Sequence, residues 1–157
     1  DYIQTIQMVD NYLPSFDMQE QMSIDKKENL QIQEALCDIQ LRKKKIPQPT
    51  QEGKELYERV RKRFQEHPEL NNGETNMMSE RCSGCGICTK VYPIGNIVLE
   101  KGKAKRLCQI CDFCLACVHN CPFHAIELRI DKNPDVRYRH QDITLKDIVN
   151  ANQQGGK

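Results

Sequence analysis

Eight of the nine cysteines lie between Cys82 and Cys121, in two similar runs, and no other feature constrains the fold as strongly. Setting Cys82–Leu99 over Cys111–Leu128 places Cys82, Cys85 and Cys88 on Cys111, Cys114 and Cys117. Pro93 falls on Pro122, Ile97 on Ile126 and Leu99 on Leu128. An internal repeat means one supersecondary unit used twice. Each half reads as a tight cysteine loop, a helical turn ending at proline and a few extended residues. A pseudo-twofold axis between the halves predicts Ile97, Leu99, Ile126 and Leu128 as the shared core. Such a core is small: hydrophobic residues make up 38% of the chain, aromatics 6%, and tryptophan is absent. A chain this lean calls for cross-links other than side-chain packing.

No apolar run approaches the length of a membrane span, and the first residues lack the basic start and apolar stretch of a signal peptide. The cysteines are therefore expected to be cytoplasmic thiolates available to metal rather than disulfides. Cys111-x2-Cys114-x2-Cys117-x3-Cys121-Pro122 is the complete run of a bacterial ferredoxin. Two-residue gaps let three sulfurs converge on one cubane while intervening N–H groups point at its sulfides. The fourth cysteine, one helical turn on, points away to the other cluster, and proline ends the turn behind it. Gly84 and Gly86 allow close approach of the first loop. Zinc is the competing reading, but it favours two separated cysteine pairs over three consecutive thiolates, repeated.

The repeat breaks once. Crossed ligation gives cluster one Cys82, Cys85, Cys88 and Cys121. Cluster two has Cys111, Cys114 and Cys117, and Tyr92 stands where its fourth thiolate belongs. Phenolate is a poor substitute for a soft thiolate. Three outcomes stay open: Cys108 is recruited as the missing ligand, the cluster settles as a 3Fe–4S form, or it is labile or absent. Cys37 is expected to be a small buried hydrophobe in a helix, and His119 and His124 solvated or supporting residues rather than ligands.

Elsewhere the pattern is coarser. Residues 2–9 alternate as a short strand before an Asp10–Pro14 loop. A helix is predicted from about Ile24 to Lys45, with Ile32, Leu36 and Ile39 facing a core, Asp25 in its first turn and Arg42–Lys45 in its last. Thr50 caps a second helix to about His67, with Leu56, Tyr57, Val60 and Phe64 on one face. Residues 71–78 read as a polar linker and 131–134 as a turn. Thr144 and Asp147 form a capping box opening a helix to about Asn150, and residues 153–157 are expected to fray. With 23 basic and 22 acidic side chains, nothing suggests nucleic acid or a membrane surface as partner. No phosphate-binding glycine loop, nucleophile elbow or paired catalytic carboxylate occurs.

The stretches Cys82–Ile97 and Cys114–Pro122 resemble the ferredoxin half of flavodoxin–ferredoxin fusion proteins. The segment Asn133–Ile148 is similar to their C-terminal part, and Met8–Pro14 to a loop beside their flavin. The resemblance implies an α+β fold: a ferredoxin-like domain with two 4Fe–4S clusters at 79–131, a partial flavodoxin-like α/β segment at 1–46, a helical linker at 47–78 and a tail with a short helix at 132–157. It implies electron transfer without bond-making catalysis, with redox proteins or an in-cis flavodoxin domain as partners. FMN is expected only in a longer chain carrying the phosphate loop, Asn11 and Tyr12 then bordering it. The start at Asp1 suggests an N-terminally incomplete polypeptide. The alternatives are a flavin-dependent oxidoreductase fed by the clusters, and a zinc-stapled interaction module.

Overall fold

The computed structural model describes residues 1–68 and 76–153. It is a mixed α and β structure with two small antiparallel sheets among short helices. Three helices come first: α1 (Met18–Ser23), α2 (Glu28–Gln40) and α3 (Gln51–Glu66). Asp17 caps α1 by accepting from the Gln19 N–H at 2.8 Å. Thr50 caps α3 as predicted, its hydroxyl accepting from the Gly53 N–H at 3.0 Å.

The N-terminal segment departs from the periodicity. The predicted strand over 2–9 is reduced to one parallel bridge, Tyr2 to Lys45. The helix expected over 24–45 is the shorter α2, and α1 before it is a helix the periodicity did not predict. Lys27, in the left-handed region, starts α2. Arg42, also left-handed, stops it in a Schellman arrangement, with the Lys43 N–H on the Asp38 carbonyl and the Arg42 N–H on the Ile39 carbonyl, both at 3.0 Å. The basic run 42–45 therefore lies beyond the helix. Ile32, Leu36 and Ile39 are exposed rather than core-facing, Cys37 beside them is exposed rather than buried, and so are Leu56, Tyr57, Val60 and Phe64 on α3. The stripes are at helical spacing, but no layer of the described chain lies over them.

The core lies mostly in the cysteine-rich half, with Leu13 and Met18 of the N-terminal segment buried in it. In sequence come β1 (Asn76–Met78), α4 (Ile87–Val91), β2 (Ile97–Glu100), β3 (Lys103–Arg106), α5 (Ala116–His119) and β4 (Ile126–Leu128). Strand β1 pairs with β4, and β2 with β3 through a Lys101-Gly102 turn with both residues at positive φ, the geometry that matches the twist of a two-residue hairpin. So the end of the predicted linker is a strand; its residues 71–75 lie outside the described residues.

Ile97, Ile126 and Leu128 are buried as expected. Leu99 shares the face of Ile97 and pairs with the buried Ala104, yet is 46% exposed. Helix α4 packs on α5, and α6 (Leu145–Gln153) packs on α4, where Asn152 donates to the Lys90 carbonyl at 3.2 Å. The predicted capping box opens α6: the Thr144 N–H meets the Asp147 carboxylate at 2.8 Å, and the Asp147 N–H meets the Thr144 hydroxyl at 3.2 Å. That helix runs past the expected end at Asn150 to Gln153; residues 154–157 of the expected frayed end lie outside the described residues. No helix among the described residues is long and apolar enough to cross a membrane.

Candidate metal centre

The two cysteine loops share a backbone signature. Gly84, Gly86 and Gly95 in the first half have φ of +75°, +73° and +73°. Their repeat partners Phe113, Leu115 and His124 have φ of +52°, +58° and +46°. Left-handed backbone costs a residue with a Cβ about 1–2 kcal/mol, so three matched instances require a shape that both loops must adopt. Alternating left- and right-handed residues turn successive N–H groups into one concavity, which binds anionic atoms. At Gly84 the glycine is obligatory for a second reason: a Cβ there would lie 2.2 Å from the Gly102 carbonyl oxygen of the hairpin turn.

Cys82, Cys85 and Cys88 of the first loop and Cys121 of the second line one recess, with apolar side chains such as Leu99, Phe123 and Ile126 around them. Two of these sulfurs receive backbone donors, Ala104 N–H to Cys82 Sγ and Ala125 N–H to Cys121 Sγ, both at 3.3 Å. Burial pushes the Cys88 thiol up to about 11, and the Cys121, Cys82 and Cys85 sulfurs add like-charge repulsion. A buried thiol in such company favours its protonated form until a cation compensates it. Soft sulfur donors in an apolar recess with N–H groups aimed at them fit an iron–sulfur cluster.

Cys111, Cys114 and Cys117 form the second group, close enough to act on one another electrostatically. Burial pushes the Cys117 thiol up to about 12, opposed by the Arg106 guanidinium and reinforced by Cys114, Cys111 and Cys88. Cys88 is thus shared electrostatically between the groups and makes them neighbours. Cys111 Sγ accepts from the Phe113 N–H at 3.4 Å and from Asn76 Nδ2 at 3.7 Å. Tyr92, only 3% exposed, sits against Cys111, and burial followed by that contact pushes its phenol pKa up. Cys108 is exposed, and its Sγ accepts from Asn96 Nδ2 at 3.2 Å. Among the described residues, no group of three or more His, Cys, Asp or Glu side chains is placed to hold a metal ion.

Asn76, Asn96 and Arg106 were not legible as site residues. Asn76 lay in a polar stretch, and Arg106 on an unpredicted strand. Asn96 had a signal, the Pro93-Ile-Gly-Asn turn after the first motif; its amide also donates to the Ile110 carbonyl at 2.6 Å.

His119 is a tie between segments. Its Nε2–H donates to the Asn11 carbonyl at 2.9 Å and its Nδ1 accepts from the Tyr138 N–H at 3.1 Å, while burial holds its pKa down. It is neutral and structural. Cys37 lies on α2 and His124 Nδ1 faces the Pro134 carbonyl at 3.2 Å. No protein-family model, curated protein or solved structure matches this chain.

Proposed function

We propose that this chain is an electron-transfer protein whose cysteine-rich half is a ferredoxin-like domain holding iron–sulfur clusters. Cys82, Cys85, Cys88 and Cys121 hold a 4Fe–4S cluster, and Cys111, Cys114 and Cys117 hold a second iron–sulfur cluster that lacks a fourth thiolate from the repeat. Such clusters, when bound, take up and release electrons one at a time. The observation that carries the reading is the recess to which one loop contributes three sulfurs and the other its last. Crossed donation of this kind is what the ligand spacing of two-cluster ferredoxins requires.

The chain's own residues tune and insulate. Backbone donors on Cys82, Cys111 and Cys121 stabilise negative charge at sulfur, and the apolar lining around the first group excludes water. Adjacency through Cys88 and Cys117 suits transfer between groups. Anaerobic purification followed by iron and sulfide assay and EPR after reduction tests this. Brown protein with matching iron and inorganic sulfide is expected; a colourless chain, or one holding only zinc, overturns it.

A second reading, a flavin-dependent oxidoreductase with an FMN domain in cis, is favoured by two contacts. Tyr2 and Lys45 form a parallel bridge across α2, the connection of a βαβ unit, and the Asp10–Pro14 loop packs on the second cysteine loop. FMN titration of a chain that includes the phosphate loop, followed by flavin fluorescence, separates it from a carrier without flavin.

A further inference from the structure

Tyr92 and Arg106 lie where the second cysteine group lacks its fourth thiolate. Tyr92 holds the repeat position of Cys121 and is almost fully buried. Its hydroxyl donates to the Ile110 carbonyl at 3.2 Å. Arg106 reaches over it from β3: the guanidinium carbon is 5.7 Å from the ring centroid, and Nη1 is 3.5 Å from the hydroxyl oxygen. The other guanidinium nitrogen, Nη2, is buried and has no partner. A buried cationic donor left unpaired is costly, and it calls for an acceptor.

Three fillings of that fourth corner differ in the ligand they need. A fourth iron needs a thiolate or a phenolate, and the Tyr92 hydroxyl is instead a donor to the Ile110 carbonyl. A vacant corner exposes bridging sulfides, which accept hydrogen bonds and carry negative charge, and the orphaned Arg106 donor can meet them. Cys108 meanwhile is exposed and engaged by Asn96.

Resting on the cluster reading above, we propose that the second site is a three-iron site held by Cys111, Cys114 and Cys117, its open sulfide face capped by the Arg106 guanidinium, with Tyr92 as the ring that positions it. Arg106 then stabilises the reduced, more negative state and raises the potential of that cluster.

Anaerobically purified full chain is compared with Tyr92→Cys, Cys108→Ser, Arg106→Gln and Arg106→Lys, by iron and sulfide content, EPR of the oxidised state and redox titration. The wild type is expected to hold about seven irons per chain and show the oxidised three-iron signal. Tyr92→Cys raises the content to about eight and abolishes that signal. Cys108→Ser changes neither. Arg106→Gln shifts the midpoint of the three-iron signal downward, and Arg106→Lys, which keeps the charge, restores most of it. About eight irons without a three-iron signal in the wild type, iron loss in Cys108→Ser, or an unmoved midpoint in Arg106→Gln overturns this assignment while leaving the cluster reading intact. Protein without iron or sulfide overturns both.

Discussion

The rings of Tyr12 and Phe113 meet with centroids 5.7 Å apart and planes inclined at 58°. Phe113 lies between Cys111 and Cys114, so this contact joins the N-terminal loop to the wall of the second cysteine group. Next to it, Leu13 is fully buried in the same core as Cys117 and Val118. Tilted aromatic pairs add about 0.5–1.5 kcal/mol beyond their buried area. A double-mutant cycle with Tyr12→Ala and Phe113→Ala, read by urea unfolding, is expected to return a coupling in that range. Strictly additive effects would show the two segments to be independent.

The proposed crossed ligation makes a specific demand on Cys121. It belongs to the second motif, yet it lines the recess of Cys82, Cys85 and Cys88. Cys121→Ser should therefore abolish the same EPR component as Cys82→Ser, and leave the component lost in Cys114→Ser. Cys37→Ser, on exposed α2, should alter none of them.

Glycine positions offer a test of the shared loop shape. Gly84→Ala drives a Cβ into the Gly102 carbonyl and is expected to cost at least about 2 kcal/mol. At Gly95 nothing lies within 4 Å of a new Cβ, so Gly95→Ala bears only the left-handed backbone cost, about 1 kcal/mol. His124→Gly, at the matching place in the second half, removes that cost and should be neutral or stabilising by up to about 1 kcal/mol. Denaturant midpoints of the three variants check the order.

Acid should loosen the tail. Asn133 Nδ2 donates to both Asp17 oxygens, at 3.1 and 3.2 Å, and this holds the Asp17 carboxyl below its ordinary pKa, with backbone donors from Gln19 and Glu20 assisting against burial. Because the folded pKa is the lower one, the stabilisation is complete above the ordinary carboxyl value of about 3.9 and is lost as pH falls through it toward the depressed value. Asp17→Asn should flatten the acid limb of a stability–pH profile. An unchanged slope would remove Asp17 from the acid response.

The cysteine repeat foretold that Cys121 would share a recess with Cys82, Cys85 and Cys88. Ligand spacing, a proline after each helical turn and matched apolar positions are local, and a short loop has few ways to satisfy them. Thr50 and the Thr144–Asp147 box were legible for the same reason, since a cap acts within its own turn. The exposed stripes of α2 and α3 were not: periodicity predicts that a face wants cover, and says nothing about whether a layer is there to provide it.

Sequence alone determined which residues are chemically able to hold metal and that Tyr92 breaks their symmetry. Tertiary structure decided which sulfurs share a recess, which backbone N–H groups reach them, and that Arg106, from the hairpin between the two motifs, lies over Tyr92 with a donor to spare. Those relations join residues far apart in the chain, and their distances follow from how the loops, helices and hairpin pack against one another rather than from any spacing along it.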